Sequence, residues 1–291
     1  MKPAQSSWLD VRGVRYHCRT WGAAGAPVMF LLHGFQDVSA SWQFTVDALA
    51  HEWQVVAPDW RGYGLSGRTG GDTYWPADLV ADLDVLLEHF EPVRPALVIG
   101  HSMGANAAAI YAGARPDRIR RFVNIEGLGG IDTRAEEAPR RYAAWLKSLA
   151  DPEGQRPYED FDQFAERMMA ENPHLTADRA GFLARHWGEA LADGTVVRRA
   201  DPAHAAPRPV LWRLDEAIAC WRQISAPVLW IEGEESEFIG RMVGRPGGYD
   251  DRLDAFGTLE GVERIAGAGH NVHHDQPELL AAAIERFARA R

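Results

Sequence analysis

The chain is poor in cysteine. It holds 2 in 291 residues, Cys18 and Cys220, far apart in sequence. That excludes a disulfide-stapled scaffold and fits a reducing compartment, so the expectation is a cytoplasmic protein with both thiols free. No segment reaches the ~20 apolar residues of a membrane-spanning helix. The opening Met1-Lys2-Pro3-Ala4-Gln5-Ser6-Ser7-Trp8 has no apolar signal core. Membrane association is therefore not expected. Basic character is missing as well: 31 Lys and Arg stand against 41 Asp and Glu, a formal net charge of -10. No basic cluster is dense enough to follow a phosphate backbone, which excludes nucleic acid as an expected partner. Internal repeats and low-complexity tracts are lacking. What is present is apolar: 46% of residues are hydrophobic and 11 are tryptophan. That is ample for one large domain, or one domain with an insertion.

The apolar runs are short and regularly placed. Trp8 to Val11 and Val14 to Trp21, separated by Arg12-Gly13, read as a hairpin. Val28 to Leu32 is a continuous run of the buried-strand kind, followed by His33-Gly34-Phe35. Val55 to Ala57, Leu97 to Ile99, Phe122 to Ile125, Val228 to Ile231 and Val262 to Ile265 read as further strands. Tyr74 to Phe90 has helical spacing, with Leu79, Leu83, Leu86 and Leu87 on one face, and Pro277 to Arg291 reads as an amphipathic helix. Strands alternating with helices imply a mostly parallel sheet with helices on both faces, an α/β fold whose ligands bind at the carboxyl ends of the strands. The alternation breaks between 131 and 224. There the spacing predicts helices over Pro139 to Leu149, Tyr158 to Glu171 and Thr176 to Leu191, then a proline-rich stretch from Pro202 to Pro209. This gives a core of 1–130 and 225–291 with a helical cap inserted over its catalytic edge. Trp145, Met168, Met169, Trp187, Trp212 and Trp221 fall in that insertion, either lining a pocket or forming its own small core.

One segment carries chemistry. In Leu97-Val98-Ile99-Gly100-His101-Ser102-Met103-Gly104-Ala105 an apolar run meets Gly-x-Ser-x-Gly, and a small-residue helix pattern follows. Glycines two before and two after the serine permit a sharp strand-to-helix turn with Ser102 at its apex. The backbone N–H groups that follow point out of a helix N-terminus. A nucleophile beside ready oxyanion donors is the machinery of acyl transfer.

With that segment, His33-Gly34-Phe35, Asp59-Trp60-Arg61-Gly62-Tyr63-Gly64-Leu65-Ser66-Gly67 and Gly269-His270 resemble the α/β-hydrolase fold over nearly the whole chain outside the insertion. The insertion is similar to the helical cap of many members. The resemblance implies Ser102 as nucleophile and His270 as its base, on a loop above the serine. It implies the Phe35 and Met103 amides as oxyanion hole. His101 and His33 are expected to be structural, and Asp59 and Arg61 to brace the sheet edge. His273 and His274 are the runners-up for the base, but one turn further on they are expected to face solvent or cap the last helix. A metal reading of His270, His273 and His274 lacks the glutamate of an HExxH site. No metal and no cofactor is expected.

The acid that orients the base must lie between nucleophile and base in the chain. The resemblance implies a place three residues beyond the glycine ending the penultimate strand, but Ser236 stands there. Glu235 and Glu237 flank it. Glu126, in Asn124-Ile125-Glu126-Gly127, is the favoured alternative, and chain order does not decide between them. The expected function is hydrolysis of carboxylic esters of small or medium apolar substrates through an acyl-enzyme. C–C bond hydrolysis or lactone opening on the same residues is the alternative. A ligand receptor with slow turnover is the alternative of another class. The small-molecule substrate is the one partner expected; the oligomeric state is not legible.

Overall fold

The computed structural model describes residues 1–152, 154–245 and 247–290. Arg12-Gly13 turns β1 (Gln5–Val11) back onto β2 (Val14–Trp21) with φ of 50° and 79°. Positive φ at both turn residues matches the right-handed twist of a hairpin. Then β3 (Val28–Leu32), α1 (Gln43–Ala48), β4 (Gln54–Pro58), α2 (Pro76–Phe90), β5 (Ala96–His101), α3 (Met103–Ala114) and β6 (Ile119–Ile125) follow. The alternation stops for α4 (Ala138–Ala150), α5 (Phe161–Glu171), α6 (Ala177–Trp187), the hairpin β7 (Gly188–Ala190) and β8 (Val196–Arg198), and α7 (Leu214–Trp221). It resumes with β9 (Val228–Gly233), α8 (Glu237–Gly240), α9 (Tyr249–Leu253), β10 (Leu259–Ile265), α10 (Val272–Asp275) and α11 (Pro277–Ala288). Among the described residues, no helix is long and apolar enough to cross a membrane. Cys18 and Cys220 are both free.

The main sheet has 8 strands in the order β1-β2-β4-β3-β5-β6-β9-β10. β1 and β2 run antiparallel at one edge, and the strands from β4 to β10 are parallel. Each face of a parallel sheet needs an apolar cover. Leu79, Leu83 and Leu86 of α2, the alanines of α3 and Trp221 of α7 cover one face. Val46 of α1 and Leu280, Ile284 and Phe287 of α11 cover the other. Phe164, Met168, Leu183 and Val196 form a separate cluster inside the 131–224 stretch.

Two features of that stretch differ from the sequence reading. The helix expected to run to Leu191 ends at Trp187. Gly188 leaves helical backbone and opens β7, and Asp193 closes the hairpin by accepting from Thr195 N at 3.0 Å. Trp221, expected with the insertion, packs instead in the cluster of the main sheet, where its ring stacks on Phe256 at 4.9 Å.

His204 fastens the stretch to the loop between β4 and α2. Its ring stacks on Tyr63 at 3.9 Å and on Tyr74 at 3.8 Å, and its Nε2–H donates to Arg61 O at 2.9 Å. Burial pushes the His204 pKa down to about 4, and that of His274, also buried, to about 3. An unfolded histidine titrates near ~6.5. Between that value and the folded one, the unfolded chain holds a proton that the native state excludes. Stability therefore falls as pH drops from about 6.5 to about 4, by about 3 kcal/mol for His204 alone. The buried Asp37 and Asp59, both held below the usual carboxylate range, add to this loss only at its acid end, below about pH 5. Urea unfolding at pH 7.5, 6, 5 and 4.5 is expected to show the decline, and a flat profile would contradict it.

Candidate active site

β5 delivers Ser102 at the sheet's carboxyl edge. A Cβ on Gly100 would lie 2.5 Å from Ala105 Cα, and one on Gly104 would lie 2.5 Å from Leu32 O. No side chain larger than hydrogen fits either place, and the chain makes the sharp turn its sequence suggests. Ser102 itself takes φ 48° and ψ -112°, outside the ordinary regions for a residue with a side chain. The surroundings hold it there: its N–H donates to Ile125 O at 2.8 Å, and its carbonyl accepts from Asn106 N at 2.9 Å. Met103 begins α3, so its N–H has no acceptor within the helix.

The loop after β3 presses on this turn. A Cβ on Gly34 would lie 3.3 Å from Ser102 Cβ and 2.7 Å from His101 Nδ1. His33 pins the loop from below. Its Nε2 accepts from Trp60 N at 2.9 Å, which leaves Nδ1–H to donate to Gly34 O at 2.8 Å. Burial lowers its pKa, which keeps this neutral tautomer. Among the described residues, neither the Phe35 nor the Met103 amide has a hydrogen-bond acceptor.

β6 and β10 bring the remaining groups. Glu126 follows β6 with φ 52°, its side chain fully buried. The carboxylate accepts three hydrogen bonds: Gly233 N–H at 2.9 Å, Ser236 Oγ–H at 2.7 Å and His270 Nδ1–H at 2.5 Å. A buried charge needs this degree of satisfaction. Ser236, which stands in the place expected for an acid, donates to Glu126 instead. Glu235 and Glu237 are exposed and make no contact with His270; Glu235 lies 3.6 Å from His174. His270 is about one-third exposed, with its ring 5.1 Å from Phe238. His101 Nε2–H donates to His270 O at 2.9 Å and fixes the backbone of that loop. No hydrogen bond joins Ser102 Oγ to the His270 ring in this structure. Such contacts are often long before substrate binds.

His273 and His274 do not face solvent as expected; both are buried. Asp37 explains the difference. His273 Nε2–H donates to Asp37 Oδ2 at 3.0 Å, and the His273 ring packs 4.7 Å from Trp42 and 4.5 Å from His101. Burial alone would raise the Asp37 pKa, but the His273 bond and charge outweigh it and hold it low. Nothing in the spacing links positions 37 and 273; both lie just past carboxyl ends of strands, which is the one signal available. Asp37, His273 and His274 place ligand atoms within 4.8 Å of one another, the one such grouping among the described residues. The Asp37–His273 hydrogen bond joins two of these groups, while the buried His274 Nε2, 4.0 Å from Asp37 Oδ2, has no hydrogen-bond partner among the described residues. Asp59 and Arg61 act as braces: Asp59 accepts from His17, Ser39 N and Leu65 N, and Arg61 forks onto Asp82.

The 131–224 stretch reaches the same edge. Trp187 Nε1–H donates to Ser41 Oγ at 2.8 Å, Asn172 Nδ2–H to Asp275 Oδ1 at 2.6 Å, and Arg179 Nη1–H to His274 O at 2.9 Å. Both the loop after β3 and the loop carrying His270 thus rest against it.

Comparison with known proteins agrees with this fold. Residues 27–277 match the family described as alpha/beta hydrolase fold. A serine hydrolase-like protein of Danio rerio is 25% identical over 96% of this chain and 85% of its own length. Esterase YbfF of Escherichia coli is 28% identical over 82% of this chain and 84% of its own. Among solved structures, the thioesterase domain from the curacin biosynthetic pathway superposes with a TM-score of 0.83, at 23% identity over 97% of this chain and 99% of that one.

Proposed function

The chain belongs to the alpha/beta hydrolase fold family, a family of hydrolases, and on that premise we propose that it cleaves carboxylic esters through an acyl-enzyme on Ser102. The observation that carries this reading is the buried Glu126 carboxylate on His270 Nδ1, at the sheet edge where Ser102 is held with φ 48°. Glu126 fixes the tautomer that leaves Nε2 free to take the serine proton, and it stabilises the imidazolium that forms. Ser102 Oγ attacks the ester carbonyl as His270 removes its proton. The oxyanion is held by the Phe35 and Met103 amides, whose lack of other acceptors suits that role. His270 then protonates the departing alcohol, and a water that it activates releases the acid.

The helices within 131–224 serve as the cap. Their contacts to the loops after β3 and β10 support a lid over the catalytic edge, and its aromatic content supports small or medium apolar esters. The relative from Escherichia coli named an esterase supports the ester bond as the one cleaved. The test is labelling of the native protein with a fluorophosphonate, followed by peptide mass spectrometry. One adduct per chain on the peptide containing Ser102 is expected, with p-nitrophenyl ester turnover lost in proportion. An unlabelled protein that turns over no ester would refute the proposal.

A further inference from the structure

Apart from the Ser102 site, a cavity of about 140 Å³ lies between β2 and the insertion, lined by Arg19, Arg185, Arg199 and His186 together with Asp59 and Ser39. We propose that this cavity binds a phosphate group.

Asp59 is the one carboxylate in the lining, and none of the three guanidinium groups is in ion-pair contact with it or, among the described residues, with any other. Among the described residues, Arg19 makes no hydrogen bond and no ion pair, and its buried Nε has no partner. Arg185 donates to Gly181 O in its own helix at 2.9 Å, and Arg199 to Gly188 O at 2.8 Å; neither has a carboxylate partner there. Elsewhere the chain does pair guanidinium groups with carboxylates, as with Arg61 and Asp82, Arg179 and Glu278, and Arg264 and Glu232. Asp59 offers the cavity little, because its oxygens already accept from Ser39 N, Leu65 N and His17 Nδ1. His186 spends Nδ1 on Phe182 O at 2.9 Å, which leaves Nε2 as a further polar group.

Three cations against one carboxylate leave two positive charges, and a phosphate dianion balances them. Guanidinium forks suit its terminal oxygens, and three of them suit a tetrahedral oxyanion better than a planar carboxylate. The size agrees, since cavities of roughly 150 Å³ hold a six-carbon ring. An adjoining open groove of about 600 Å³ shares Gly64 and Arg199 with the cavity and adds Arg68. A phosphate monoester would seat its phosphate in the cavity and its organic part along that groove.

Isothermal titration at pH 7.5 and constant ionic strength tests this with three probes: inorganic phosphate, adenosine 5′-monophosphate and succinate. Saturable phosphate binding is expected. Arg19→Gln and Arg199→Gln should each weaken it about tenfold or more, the usual scale for a charged hydrogen bond. Arg185→Gln should weaken it less, because that side chain is exposed. Ester turnover in phosphate-free buffer should be unchanged in all three variants, so failure here is separable from failure of the Ser102 assignment. If Arg19→Gln does not fold, the other two variants carry the test. Variant-sensitive binding of phosphate but not of the nucleotide supports a free-ion site. Tighter variant-sensitive binding of the nucleotide supports a site for the phosphate end of a larger molecule. The proposal is overturned by no saturable binding up to about 10 mM, by binding that the substitutions leave unchanged, or by succinate binding more tightly than phosphate.

Discussion

Ser102→Ala is expected to abolish fluorophosphonate labelling and to lower p-nitrophenyl ester turnover by roughly 10⁶-fold, the scale on which loss of a serine nucleophile acts. The substitution removes one oxygen and leaves the turn intact. Ser102 and alanine meet the same backbone strain at φ 48°, and the bonds that hold this conformation come from main-chain groups, Ile125 O and Asn106 N. The melting temperature should therefore stay close to that of the native protein, which separates loss of chemistry from loss of fold. The Phe35 and Met103 amides remain, so a residual rate above that of water alone should persist. Turnover retained within tenfold of the native rate would remove Ser102 from the reaction. A receptor on this scaffold predicts something different: negligible turnover in the native protein and nothing for the substitution to remove.

The sequence carried the elements that depend on local physics. Val28 to Leu32 is wholly buried and reads as an unbroken apolar run because both faces of a central parallel strand are covered. The turn at Ser102 was legible because Gly100 and Gly104 answer a steric demand that falls within a few residues. The hairpin β7–β8 was not legible: Gly188 ends a helix whose apolar spacing continues to Leu191. The packing of Trp221 on the main sheet was hidden for a different reason, since an aromatic residue near the end of an insertion fits either cluster by composition. The Asp37–His273 pair was out of reach altogether. Its partners are 236 positions apart, and only the closing of the sheet brings their loops together. The companion of His270 was a problem of the same kind. Chain order admits Glu126, Glu235 and Glu237 alike. What separates them is that β6 and β9 are neighbours, with Ile125 opposite Ile231. That register places Glu126 beside Gly233 and Ser236, whose hydrogens it then accepts.

Glu126→Gln is expected to lower kcat about 10⁴-fold, the cost of presenting the base in the wrong tautomer. The present carboxylate accepts from Gly233 N–H, Ser236 Oγ–H and His270 Nδ1–H. Glutamine has a single acceptor oxygen; Gly233 N–H, which bonds Oε1 and can only donate, claims it, whereas the Ser236 hydroxyl, on Oε2 beside His270, can rotate to accept. Its amide nitrogen then faces His270 and donates, so Nδ1 must accept and the ring proton moves to Nε2. A protonated Nε2 cannot take the Ser102 proton. The binding of substrate is untouched by this change, so KM should move little while kcat collapses. Glu235→Gln and Glu237→Gln alter exposed side chains that do not contact His270, and both should keep turnover within about twofold, as surface substitutions usually do. Ser236→Ala gives the graded case: it removes one of the three donors, leaves the charge and the His270 bond, and should cost far less than Glu126→Gln. The comparison is decided by kcat and KM for one p-nitrophenyl ester across the four variants. Near-native kcat in Glu126→Gln, with collapse in Glu235→Gln or Glu237→Gln, would transfer the role to the loop after β9. The Glu126–His270 bond would then be structural support for the base rather than part of the reaction.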